Sequence, residues 1–203
     1  RINGKTTYAM EGSIFIAGAG VQWLRDRMKF FKKAPETEKI VKSLKNNNGI
    51  YLVPAFTGLG APHWNANSRG VLSGITRDTS PKEIVRATIE AVAYQTYDLF
   101  EAMKHDGLRP KIVKVDGGMV MNNWFSQFLS DVVNVKVLRP KVQETTAAGA
   151  AFMAGLQIGV YKSLKDISKN WHLDRKFSPK MKNNSRNILI KGWSTAIKRT
   201  LIN

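Results

Sequence analysis

Cysteine is absent from this 203-residue chain. Its absence excludes a disulfide framework and a thiolate-bound metal, and makes a reducing compartment, the cytoplasm, the expected setting. Histidine is scarce: His63, His105 and His172 are scattered and show no metal-ligand spacing, so no metal site is expected. No apolar run approaches the roughly 18 to 20 residues of a membrane-spanning helix, and the first residues show no signal-peptide pattern, so no integral membrane span is expected. Acidic residues are few, 15 against 32 Lys and Arg, for a net charge of +17. Such a charge attracts phosphate through counterion release and raises the question of nucleic acid. Its distribution argues against that partner. The cations run along the whole chain, their strongest excess falls after Gly159 where only Asp166 and Asp174 oppose them, and no aromatic stacking platform interleaves with them. A solvated basic surface accounts for the charge.

What is present suffices for a core. With 43% hydrophobic residues and no linker, repeat or low-complexity tract, the chain reads as one domain or the larger part of one. It begins at Arg1 with no initiating Met, and the strand expected over residues 6–11 has no first partner, which suggests a piece of a longer protein. Ser13 is a good N-cap for a helix over 14–31, with Ile14, Val21, Leu24 and Met28 available for one face. A polar helix over 36–45 and the turn Asn46-Asn-Asn-Gly49 lead to a strand over 50–53. The loop over 54–64 carries two glycines and two prolines and is expected to be buried or to line a cleft. A strand over 71–75 follows. Ser80-Pro-Lys-Glu83 then spells a capping box with Pro at the first helical position, and an apolar stripe runs on to Gly107. The remainder alternates: strand 112–115, helix 123–133, strand 135–138, helix 145–158. Residues 161–179 look polar and irregular, and a short helix over 193–201 closes the chain. Alternation of this kind predicts an α/β fold with a layered sheet. The small residues between Ala147 and Ala154 are expected to let that helix approach its neighbours closely.

One junction carries chemistry. The strand ending at Val115 runs into Asp116-Gly117-Gly118 and then a helical pattern, which aims free backbone N–H groups and the positive end of a helix dipole at one spot. An anion or nucleotide suits that geometry, although a tight βα turn yields the same letters. Asn122, one turn on, is an N-cap or a ligand contact. Asp116 ends a strand beside this spot, but an Asp before Gly-Gly commonly stabilises its own turn, and no catalytic residue is assigned. Trp64, Trp124, Phe125 and Phe128 are taken as structural.

These segments together resemble the C-terminal domain of the FGGY family of carbohydrate kinases. Gly70-Val-Leu-Ser-Gly-Ile75 with Glu83-Ile84 and Ala87-Thr-Ile-Glu90 is similar to the spaced signature of the family's second half. Tyr8-Ala-Met-Glu-Gly12, Ala17-Gly-Ala19, Gln22-Trp-Leu-Arg-Asp26, the loop Pro54 to Trp64 and Val115-Asp-Gly-Gly118 resemble its glycerol-phosphorylating branch. The likeness is strong over about residues 6 to 160 and thinner beyond. It implies an actin-like (ribonuclease H-like) ATPase domain with a mixed sheet flanked by helices, a nucleotide-binding unit over 1–203 in which 160–203 is a basic extension. Carried across position by position, the implied nucleotide contacts are Gly18, Gln22, Gly118 and Asn122. Gln22 one turn after Gly18 shares its helix face, though it also reads as a surface polar residue. The resemblance further implies ATP or ADP with Mg2+, and glycerol held by an N-terminal domain absent here. The family's base, in an Asp-Gln-Gln-type segment, is also missing, so the chain alone is expected to be inactive. A separately encoded N-terminal half, a decayed remnant and a homo-oligomer stay open, as do a pentulose or gluconate kinase and a non-catalytic basic binding module.

Overall fold

The computed structural model describes Ile2 and residues 4–202; Arg1, Asn3 and Asn203 lie outside the described residues. Its centre is one long helix. Ser80 Oγ accepts from the Lys82 N–H at 3.3 Å, Glu83 Oε2 accepts from the Ser80 N–H at 3.0 Å, and the helix α3 (Pro81–His105) starts from that box. The sequence stripe suggests one apolar face, yet every residue from Val85 to Tyr94 is buried. The reason is enclosure on several sides. Helices α1 (Gly18–Asp26), α2 (Glu36–Lys42) and α4 (Asn123–Val133) and the strand β1 (Tyr51–Val53) all pack on α3. Full burial of a side chain such as Ile89 or Val85 contributes about 1.5–3 kcal/mol, so this half of α3 dominates the core.

Burying α3 all round also buries polar groups, and each is satisfied. Arg86 Nε donates to Glu90 Oε1 at 2.6 Å, Tyr94 Oη donates to Glu90 Oε2 at 2.9 Å, and an Arg86 N–H reaches the Leu44 carbonyl at 2.7 Å. Trp193 stacks on Tyr94 with ring centroids 5.3 Å apart and gives its indole N–H to Asp98 at 2.7 Å. Trp193 belongs to α7 (Asn183–Leu201), which covers β1 and its antiparallel partner β2 (Val71–Ser73).

A second sheet is mixed. β3 (Ile112–Lys114) pairs in parallel with β4 (Lys136–Pro140), and β5 (Leu173–Phe177) pairs antiparallel with the other edge of β4. Helix α4 is the crossover between the parallel pair. Its residues Phe125, Phe128, Leu129, Val132 and Val133 are buried, and it ends where Asn134 takes the left-handed conformation at φ 54°. Helix α5 (Thr145–Gln157) and the short α6 (Leu164–Ser168) follow β4.

Several expectations need correction. Residues 6–11 are irregular, because an extended segment with no neighbouring strand has nowhere to send its backbone hydrogen bonds, and Tyr8 is 91% exposed. Helix α1 is shorter than 14–31 and Ser13 does not cap it. Its N-cap is Ala17, without a side-chain bond, and the stretch before it is tied elsewhere: the Ser13 and Ile16 carbonyls accept from the Ala61 N–H at 3.2 Å and the Gln95 amide at 3.2 Å. Lys29, left-handed at φ 58°, lies just beyond its end. The segment 161–179 is not irregular throughout, since α6 and β5 lie in it. Three consecutive charged residues, Asp174, Arg175 and Lys176, hide β5 from a hydrophobic reading, while pairing along β4 makes it a strand. Helix α7 begins ten residues before its expected start, in a polar stretch held down where Arg186 Nε donates to the Val132 carbonyl at 2.7 Å. Trp64 is not core: it is 69% exposed and meets Phe15 edge-on.

Candidate functional site

The strand β3 ends in a turn that only glycine makes easily. Gly117 has φ 82°, and from Gly118 the chain winds into a single 3-10 turn (Gly118–Met121) before α4 starts. The glycine pair therefore opens this tight turn and not the α-helix itself. Asn122 is the α4 N-cap, its Oδ1 accepting from the Phe125 N–H at 3.0 Å. Its Nδ2 keeps only a long contact to Thr37 Oγ1, 3.4 Å away, while Thr37 Oγ1 donates to the Ala34 carbonyl at 2.7 Å. The start of α2 is thereby tied to the turn.

Helix α1 closes the other side. The space between α1, the start of α2 and the turn is a cavity of about 330 Å³, lined by Gly18, Val21, Gln22 and Arg25 from α1, by Ala34, Pro35, Thr37 and Glu38, and by Gly118, Met119, Met121 and Asn122, with Ile89 of α3 also on the wall. That volume lies at the small end of ordinary ligand pockets, about 300–1,000 Å³. All four residues singled out from the sequence, Gly18, Gln22, Gly118 and Asn122, meet on it although they come from two distant parts of the chain. Neither glycine is demanded by packing: a Cβ at Gly18 or Gly118 would meet nothing within 4 Å. At Gly18 it would be added in the wall of the cavity.

The lining divides chemically. Val21, Ile89, Met119 and Met121 offer an apolar wall to a flat ring. Gln22 is exposed with its amide unspent on other described residues, and Arg25 carries a positive charge at the margin, where its guanidinium meets Asp26 at 2.7 and 2.8 Å. Glu38 accepts from Lys42 at 2.5 Å and from the Asn123 N–H at 3.4 Å. Partial burial pushes its carboxyl up, but those contacts outweigh burial and hold it below the ordinary glutamate range. Arg25, Thr37, Glu38 and Ile89 were not legible in the sequence, since no local pattern announces which residues of α1, α2 or α3 face a turn roughly thirty to ninety positions away. Asp116 is exposed, and its carboxylate hydrogen-bonds to neither glycine N–H, so the expected self-stabilised turn is not formed. Among the described residues no three His, Asp or Glu side chains are grouped to hold a metal ion.

Residues 2–158 match the sequence model described as the FGGY family of carbohydrate kinases, C-terminal domain. The chain belongs to that family. Its similarity to curated FGGY kinases extends over nearly all of its length: it is 54% identical over 199 residues, 98% of this chain, to glycerol kinase 1 of Pseudomonas aeruginosa. To the glycerol kinase of Gluconobacter oxydans it is 52% identical over 202 residues, 99% of this chain. It spans 40% of the length of each of these relatives. Among solved structures, Plasmodium falciparum glycerol kinase with ADP is 35% identical and superposes with a TM-score of 0.82 over 92% of this chain and 37% of its own. A xylulose kinase from Lactobacillus acidophilus, 22% identical with a TM-score of 0.76 over 92% of this chain and 38% of its own, shares the fold. The FGGY kinases have the actin-like ATPase fold, and the helices and mixed sheet seen here are part of it. No helix among the described residues is long and apolar enough to cross a membrane.

Proposed function

We propose that this chain is the nucleotide-binding C-terminal part of a cytoplasmic kinase that transfers the γ-phosphoryl group of ATP to glycerol, giving glycerol 3-phosphate and ADP. Convergence of Gly18, Gln22, Gly118 and Asn122 on one cavity carries this reading. The relatives at 54% and 52% identity are glycerol kinases, and the Plasmodium falciparum structure is of a glycerol kinase with ADP.

In this reading the purine lies against Val21, Ile89 and Met119. Asn122 Nδ2 and the Gln22 amide donate to it or to the ribose, and bare backbone at Gly18 and Gly118 leaves room for close approach. Because Gly118 opens the 3-10 turn, its N–H has no partner within that turn and is available to a ligand. The phosphates then lead toward the Arg25 margin and out of the domain. The described residues do not fit a protein-held metal, so the Mg2+ that accompanies ATP is assigned to the phosphates and to regions outside this chain, and no step here runs through it. The glycerol site and the general base are likewise assigned outside the chain, with residues 160–203 a basic extension of the nucleotide domain.

Calorimetry with ADP tests the reading. A folded chain should release heat on ADP binding, and the heat should be lost in Gly18→Leu. A folded chain that yields no heat with millimolar ADP would sink the proposal. Alone, it should show no ATP-dependent glycerol phosphorylation above blank, because positioning and proton removal from the acceptor alcohol supply the acceleration in phosphoryl transfer.

A further inference from the structure

Arg139 is a buried cation that reaches the glycine turn from the strand behind it. It sits in β4, the middle strand of the mixed sheet, and is 4% exposed. Each nitrogen of its guanidinium is engaged. Nη1 donates to the Val120 carbonyl at 2.7 Å and, at longer range, to the Met121 carbonyl at 3.4 Å. Nε donates to Asp174 Oδ2 at 2.7 Å, and Nη2 lies 2.7 Å from the same oxygen. Val120 and Met121 end the 3-10 turn that Gly118 opens, and Met121 and Asn122 line the cavity.

Stability alone is a poor account of this arrangement. Taking a guanidinium out of water is costly, and the carboxylate that offsets the cost is 38% exposed, where its attraction is screened. What the planar fork does supply is geometry, because it fixes the turn carbonyls relative to Asp174. A single 3-10 turn has little of its own to hold it. The Val120 carbonyl also accepts from Ser126 Oγ of α4 at 2.9 Å, so the turn is gripped from the sheet and from the helix. Strand β5 adds a second hold: Arg175, next to Asp174, donates to Asn123 Oδ1 at 3.1 Å, at the first residue of α4. Adjacent residues of β5 therefore reach both sides of Asn122, one through Arg139 and one directly.

We infer that Arg139 is a positioning residue for nucleotide binding: anchored on Asp174, it holds the Gly118–Met121 turn so that the Gly118 N–H and the Asn122 amide keep the spacing a nucleotide requires. The inference rests on the reading of the cavity as a nucleotide site. Polar contacts of this kind lose affinity once their supports let them drift by about 0.5 Å. It also gives the extension over 160–203 a part in the site, since β5 carries the anchor.

ADP calorimetry and amide hydrogen exchange on the full 203-residue chain test it. The variants are Arg139→Met, which keeps a long side chain and removes every donor, Asp174→Asn, which keeps the volume and removes the charge, and the two combined. Folded Arg139→Met should bind ADP at least about tenfold more weakly. Its amides over 118–123 should exchange about tenfold faster while those over 85–94 in α3 keep the protection of the parent chain. Asp174→Asn should weaken ADP binding about threefold, and should have no further effect in the Arg139→Met background, because it acts through that guanidinium. A purely structural role would lower the melting temperature and leave the affinity of the folded chain unchanged.

Three outcomes overturn the inference: folded Arg139→Met with the parent affinity, faster exchange spread equally over α3, or an Asp174→Asn loss undiminished in the Arg139→Met background. Should Arg139→Met fail to fold, Asp174→Asn decides. Parent affinity with unchanged exchange over 118–123 then overturns the inference, and weaker binding with faster exchange there supports it. A parent chain that gives no heat with ADP sinks the nucleotide reading and this inference together, whereas heat in the parent with unimpaired variants sinks only the role of Arg139.

Discussion

Asn122 Nδ2 lies 3.4 Å from Thr37 Oγ1, a contact between residues 85 positions apart that fastens the start of α2 to the turn after β3. Through the same side chain, Oδ1 caps α4. One amide thus sets the helix that follows it and the wall opposite it, which makes the cavity a product of the fold.

Asn122→Asp should separate those two tasks. Aspartate retains the capping oxygen, so thermal stability should stay within about 0.5 kcal/mol, while loss of the Nδ2 donor should weaken ADP binding by roughly 0.5–1.5 kcal/mol. Asn122→Ala should lose both, costing about 1 kcal/mol in stability besides. Paired denaturation and calorimetry would expose the idea as wrong if Asp bound ADP as tightly as Asn.

Gly18→Leu should leave folding intact or improve it, because a Cβ there meets nothing and glycine in a helix is about 1 kcal/mol worse than leucine. ADP affinity should nevertheless drop at least tenfold, about 1.4 kcal/mol. A variant that is both stable and unimpaired in calorimetry would remove Gly18 from the site.

Arg86→Met should be severely destabilising, by about 3–5 kcal/mol at neutral pH, since it strands the buried Glu90 carboxylate. Burial already pushes the Glu90 carboxyl up, against the opposing Arg86, Tyr94 and Asn47 contacts, and removing Arg86 frees that push. With a folded value above the unfolded one, the group's contribution is complete below the unfolded carboxyl value, about pH 4.3, and is lost as pH rises through the folded value. The deficit in urea denaturation should therefore shrink toward pH 4. A deficit independent of pH would refute the assignment.

Ser80→Ala should cost about 1 kcal/mol by undoing the α3 cap. The Ser80 hydroxyl is the largest influence holding Glu83 below the ordinary glutamate range, with burial acting in opposition. Its stabilisation is present above the unfolded carboxyl value, about pH 4.3, and lost as pH falls through the folded value. Acid titration of the variant should show a shallower loss than the parent chain; an unchanged slope would place the acid sensitivity elsewhere.

Much was written locally. The Ser80–Glu83 box, Pro81 and the apolar stripe marked α3; Asn122 and the stripe behind it marked α4 from its first residue to its last; Gly117 marked the bend. Each depends on interactions within a few residues, where sequence spacing and physical contact coincide. The meeting of Gly18 and Gln22 with Gly118 and Asn122 was suggested by family resemblance and not by spacing, because nothing local brings α1 beside the turn.

Strands and partners were decided at a distance. Residues 6–11 have strand-like letters but no partner and stay irregular, while β5 has charged letters and becomes a strand because β4 offers its edge. The polar start of α7 is helical although no apolar period announces it, with Arg186 reaching Val132 from its second turn. The sequence by itself determined caps, turns and the apolar faces of α3 and α4, since these need only neighbours along the chain. Tertiary structure alone decided which strand edges are paired, that α3 is buried all round from Val85 to Tyr94, and that Thr37, Glu38 and Ile89 share a cavity with Asn122, because those outcomes depend on contacts between segments far apart in the chain.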